Sequence, residues 1–141
     1  RYYGLVAHLG GEPTPAIGFA IGLERLVELH ALAGSPVPAV APDVYVVAVG
    51  DGALRAAMPI AEGLRDAAPP FRVETHCGGG GFKAQMRRAD KSGAAVAVIL
   101  GEDEVAAGTA TVKSLRGAGG QASVPVAALA ETLAALLRPA S

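Results

Sequence analysis

The sequence predicts an α/β domain, a mixed sheet of about five strands with three helices, preceded by a short segment of different character. Two observations carry this. Two apolar, β-branched stretches (43–49 and 94–100) and a weakly alternating one (71–76) are separated by two stretches of helical period, an order that implies parallel strands joined by crossovers. Two further strand-like stretches, 109–115 and 121–124, flank the glycine-rich run Arg116-Gly117-Ala118-Gly119-Gly120 and predict an antiparallel hairpin.

Taken in order, the chain opens with a segment from Arg1 to about Leu32. Its apolar run 16–20 follows Pro15 and predicts a buried strand. Leu23, Leu26, Val27 and His30 then recur at three- and four-residue steps, which predicts a helix with one apolar face. Residues 33–42 hold three prolines and no charge before Asp43, so they cannot continue that helix and are expected to be a linker between two domains. The second domain is expected over 43–141. Its first helix spans 52–68 with Leu54, Met58, Ala61 and Leu64 inward, and Pro59 predicts a kink or a late start. Gly78 to Gly81 form a turn, and a helix follows from Phe82 to Ser92 with Phe82, Met86 and Ala89 inward. Gly101-Glu102-Asp103-Glu104 is expected to turn the chain outward after the most apolar strand. The last helix starts near Pro125 and carries Leu129, Leu133, Leu136 and Leu137.

Composition narrows the function. Twelve Lys/Arg against thirteen Asp/Glu leave a net charge of -1, which excludes binding to nucleic acid through bulk positive charge. Aromatic residues make up 4%, too few for a long base-stacking platform. One cysteine, Cys77, excludes an internal disulfide framework. No apolar run approaches the roughly 18 residues of a membrane helix. The chain starts at Arg1 within sequence that reads as structured, so we expect it to be part of something larger.

The glycine run 78–81 can present backbone N–H groups to an anion ahead of a helix N-terminus. It lacks the Lys-Ser/Thr pair of a nucleotide-hydrolysing loop, so close approach of backbone to a partner is the simpler expectation. Behind it, Lys83, Arg87, Arg88 and Lys91 place four cations in nine residues. They are either phosphate contacts or a solvated face partly neutralised by Asp90 and the acidic run 102–104. Arg25, one turn past Gly22, either clamps a phosphate or pairs with Glu24 or Glu28. His76 beside Cys77 does not make a metal site, and no Ser-His-carboxylate set is apparent.

The stretches Arg1-Tyr2-Tyr3-Gly4-Leu5-Val6, Gly10-Gly11 and 14–26 (TPAIGFAIGLERL) closely resemble the last signature motif of the class II catalytic domain in the histidyl-tRNA synthetase family. Residues 77–93 (CGGGGFKAQMRRADKSG) and 99–104 (ILGEDE) resemble the anticodon-binding domain of those class II synthetases. The resemblance implies that Arg25 is the catalytic arginine on the ATP γ-phosphate, that Gly18 and Gly22 leave room for the adenosine, and that Arg1 and Tyr2 border the histidine and adenylate pocket. The family usually has aspartate at the position of Tyr3, and often serine at that of Gly81. It implies a cytoplasmic, homodimeric parent enzyme without membrane association, joining histidine to tRNA(His) with ATP and Mg²⁺. A piece carrying only the last catalytic motif is expected to bind no cofactor and to be inactive by itself. The RNA contact is then expected at Gly78, Gly79, Gly80 and Gly81, with Lys83, Arg87 and Arg88 on phosphates and Gln85 reading a base edge. The alternative is a freestanding, non-catalytic RNA-binding or regulatory module, which would have no use for residues 1–32.

Overall fold

A computed structural model describes residues 4–15, 17–34, 40–117 and 119–137. The chain divides into two compact units, 1–39 and 40–141. The first contains helix α1 (Leu5–His8) and helix α2 (Leu23–Leu32), neither with a buried residue. The strand expected over 16–20 does not form: 17–22 have no regular structure, and Ile17 and Phe19 are 82% and 92% exposed. An apolar strand needs a neighbour for its backbone groups and a layer over its faces, and this unit supplies neither among its described residues.

The second unit holds a five-stranded sheet in the order β2-β1-β3-β4-β5. Strands β1 (Val44–Ala48), β2 (Val73–Thr75) and β3 (Val96–Leu100) are parallel, whereas β4 (Thr109–Ser114) runs antiparallel to β3 and to β5 (Gln121–Pro125). This is the mixed α/β sheet that the strand and helix order predicts. β1 and β3 are buried throughout because helices cover both faces, so every side chain along them is apolar. On one face lie α3 (Asp51–Arg65) and α6 (Leu129–Leu137), with Val46, Val98, Leu100, Leu129 and Leu133 at the centre. On the other lies α4 (Phe82–Lys91), against Tyr45, Val47, Ala97 and Ile99. Each of these large buried side chains contributes about 1.5–3 kcal/mol.

Three expectations are corrected. α3 starts at Asp51, runs through Pro59, and turns Ala53, Ala57, Ala61 and Leu64 inward, while Leu54 and Met58 are exposed. Small side chains let this helix lie close to the sheet, and its large residues stand one step round from the contact. In α4 the buried residues are Gln85 and Ala89; Met86 is half-buried and Phe82 half-exposed. Residues expected to turn outward after β3 instead form α5 (Glu102–Ala107). Its three acidic residues favour a helix N-terminus, and Gly101 N–H donates to Glu104 Oε2 at 3.0 Å.

β4 and β5 complete the setting of the site. Ala110, Val112 and Val124 join the α3 side, so the alternate residues Thr111, Lys113, Gln121 and Ser123 share the α4 side. α4 lies on β1 and beside β3 but does not reach that half of the sheet. The α4 face is therefore apolar beneath the helix and polar beyond it.

Candidate functional site

The glycine turn is held by two buried side chains, both spent on backbone groups. Gln85 is 2% exposed. Its Nε2 donates to the carbonyls of Gly80 (2.9 Å) and Ala48 (2.7 Å), and its Oε1 accepts from Ala48 N–H (3.0 Å). His76 is 4% exposed, with Nε2 at 2.7 Å from the Gly79 carbonyl and Nδ1 at 2.9 Å from the Tyr45 hydroxyl. A carbonyl only accepts, so Nε2 carries the proton and Tyr45 O–H donates to Nδ1. Burial, with Glu74 adding to it and Arg88 opposing, pushes the Tyr45 hydroxyl up from its ordinary value of 10.0, keeping it a donor. Gln85 is buried and both its N–H groups are committed within the protein, so the geometry does not support the base-reading role expected of it.

Gly79 (φ +63°) and Gly80 (φ +90°) adopt backbone angles that favour glycine, and so turn their carbonyls inward. In a trans peptide the C=O and the following N–H point in opposite directions, so the Gly80 and Gly81 N–H groups face away from His76 and Gln85. Neither has a partner among the described residues. The Phe82 and Lys83 N–H groups follow in the first turn of α4, where helix geometry leaves donors free. Four successive backbone donors, 80–83, are thus left without a partner or side-chain cap among the described residues.

The α4 cations divide between two grooves. Lys83 and Arg87 line an open groove of about 510 Å³ whose far wall is Lys113 of β4. Arg88 faces the opposite side, in a groove of about 610 Å³ with Tyr45, Glu74 and Cys77, and Lys91 at the end of α4 borders both grooves. A side chain at Gly78 would meet its guanidinium, 2.4 Å from where a Cβ would stand. Asp90 does not neutralise these cations, since it pairs with Arg116 at 2.8 Å. Glu102 accepts from Gly52 N–H at 2.8 Å, and Glu104 from Thr111 Oγ1 at 3.0 Å. Among the described residues no ion pair involves Lys83, Arg87, Arg88 or Lys91. The four exposed charges stand free for an external anion.

Beside the turn, Phe82, Glu104, Thr111 and Gln121 border a cavity of about 240 Å³ floored by Val49, Ile99 and Leu100. An exposed ring, a carboxylate and a primary amide can stack on and hydrogen-bond one flat heterocycle. Glu104 and Gln121 at this cavity, and Lys113 in the groove beside α4, escape sequence reasoning because they come from three elements, and only the alternation along β4 and β5 hints at a polar face there.

The sites expected in the first unit are placed differently. Gly22 is the exposed N-cap of α2, Arg25 stands one turn on, and Gly18 precedes both in irregular chain. No described cation or buried polar group joins them. Arg1 and Tyr2 lie outside the described residues. No group of three His, Cys, Asp or Glu suited to a metal occurs among the described residues.

Comparison with known proteins agrees with this geometry. Residues 43–136 match the anticodon binding domain family. The chain is 56% identical over 126 residues to a histidine–tRNA ligase of Halorhodospira halophila, covering 89% of this chain and 29% of that protein. It is 54% identical over 134 residues to one from Dechloromonas aromatica, covering 94% of this chain and 31% of that protein. The structure is similar to crystalline histidyl-tRNA synthetase from Nostoc sp. PCC 7120 (TM-score 0.64, 33% identity, 83% of this chain and 28% of that one). The chain thus spans under a third of these relatives' length. The sheet order, the helices on its two faces and the match over 43–136 together establish that this chain belongs to the anticodon binding domain family of class II synthetases.

Proposed function

We propose that this chain is the C-terminal part of a histidine–tRNA ligase and that its second unit recognises the anticodon of tRNA(His). The observation that carries this is the corner between α4 and the open half of the sheet, where free backbone donors, unpaired cations and the Phe82 cavity adjoin. Phosphates lie against the 80–83 N–H groups and against Lys83, Arg87 and Lys113, fixing register without reading sequence. An unstacked base enters beside Phe82, and its N–H groups meet the Glu104 carboxylate, which retains acceptor capacity after its two internal bonds. Arg88 takes a neighbouring phosphate on the far side of α4.

Residues 1–32 correspond to the last strand-and-helix motif of the catalytic domain, although 17–22 form no strand here, with Arg25 directed to the ATP γ-phosphate, Gly18 and Gly22 beside the adenosine, and Arg1 and Tyr2 at the histidine pocket. Among their described residues they do not fit ATP and Mg²⁺: Arg25 is the one Lys or Arg described there, it is exposed, and no described acidic cluster offers a donor set for the metal. We assign the activation of histidine to the parent enzyme, which the resemblance implies to be a cytoplasmic homodimer. No helix among the described residues is long and apolar enough to cross a membrane.

The test is binding of tRNA(His) and an anticodon-swapped counterpart, alongside histidine-dependent pyrophosphate exchange. The expected result is tighter binding of the cognate tRNA with exchange at background. Equal binding of both tRNAs, or clear exchange by the pure chain, contradicts the proposal.

A further inference from the structure

We infer that Gln85, with the Tyr45–His76 pair, is a positioning element that presents the glycine turn to RNA, a role that rests on the function proposed above. The ladder between β1 and β2 ends where His76 N–H donates to the Val46 carbonyl at 3.1 Å. Beyond that point the chain leaves the sheet, and Ala48, the next residue of β1 facing that edge, has no strand beside it. Gln85 fills the gap. Its carboxamide accepts from Ala48 N–H and donates to Ala48 C=O, standing in for the two successive peptide groups that a continuing strand would offer. Its second N–H then takes the Gly80 carbonyl. The end of β1, the first turn of α4 and the glycine turn are thus tied through one buried amide.

Tyr45 acts one step further back. Its O–H occupies His76 Nδ1 and so keeps the proton on Nε2, where it holds the Gly79 carbonyl. Two consecutive carbonyls are pinned from within, which aims the next two N–H groups outward. A carboxylate at position 85 would have no N–H for either carbonyl, and an aliphatic side chain would leave the buried Ala48 N–H and C=O unpaired and release the Gly80 carbonyl.

The ¹⁵N-labelled chain, Gln85→Met and Tyr45→Phe are compared by amide chemical shifts. Each is then titrated with tRNA(His) and an anticodon-swapped tRNA at several salt concentrations, with thermal unfolding to fix the folded fraction. Gln85→Met is expected to move the Gly79, Gly80 and Gly81 amides and to weaken binding of both tRNAs about tenfold. Its salt slope stays that of the unmodified chain, because no charge is lost. Tyr45→Phe keeps the ring and the fold, so it decides the matter even if Gln85→Met does not fold; about a threefold loss is expected. Folded variants with unchanged affinity overturn the inference. A loss confined to the cognate tRNA also overturns it, because Gln85 would then be reading a base. Failure of the unmodified chain to bind either tRNA, with the glycine amides still displaced in the variants, overturns the functional proposal and the positioning role with it.

Discussion

Residues 17–29 and 44–100 contain apolar stretches of similar kind, yet their fates are opposite. Ile17, Phe19 and Leu26 are 82%, 92% and 53% exposed, whereas Val46, Val98 and Leu100 are fully buried. The apolar pattern along a chain states what a segment can bury. Whether it does so depends on a second surface, which the 40–141 unit makes from its own helices and the described residues of the 1–39 unit do not.

The largest expected effect comes from separating the two. Residues 40–141 alone should keep the whole cooperative unfolding transition, and 1–39 alone should show none, by circular dichroism on heating. A cooperative transition in 1–39 would break the comparison. Point substitutions sharpen it next. Leu133→Ala, at a fully buried site, should cost about 2–4 kcal/mol in urea unfolding, whereas Leu26→Ala should stay within about 0.5 kcal/mol. A smaller effect follows from Tyr45. Burial raises its hydroxyl above 10.0, so the protonated form is favoured in the folded state. That contribution is fully present below pH 10.0 and is lost as pH rises through the raised value. Stability of the unmodified chain should therefore fall more steeply than that of Tyr45→Phe in alkaline unfolding titrations.

The sheet was legible in the sequence because β1 and β3 are buried on both faces and so are continuously apolar, and because glycines mark the hairpin. The inward face of α3 was not, since alanines make the close contact while Leu54 and Met58, which dominate the hydrophobic pattern, do not. α5 was missed because three successive acidic residues suit an exposed turn and a helix N-terminus equally. At the site, the glycine turn and the α4 cations were visible as local runs. Gln85 attracted a base-reading role for its capacity to donate and accept, and that same capacity is what the fold uses internally. Lys113 and Gln121 acquire meaning only through register, which sets them on one face of the sheet beside α4.

Binding of tRNA(His) to the chain and to its Lys83→Ala/Arg87→Ala variant, measured across salt concentration, tests the central claim most directly. The groove between α4 and β4 predicts weaker binding and a flatter salt dependence, by roughly one unit of slope or less per lost phosphate contact. Affinity and slope matching those of the unmodified chain would show that this face is only solvated, and would contradict the account.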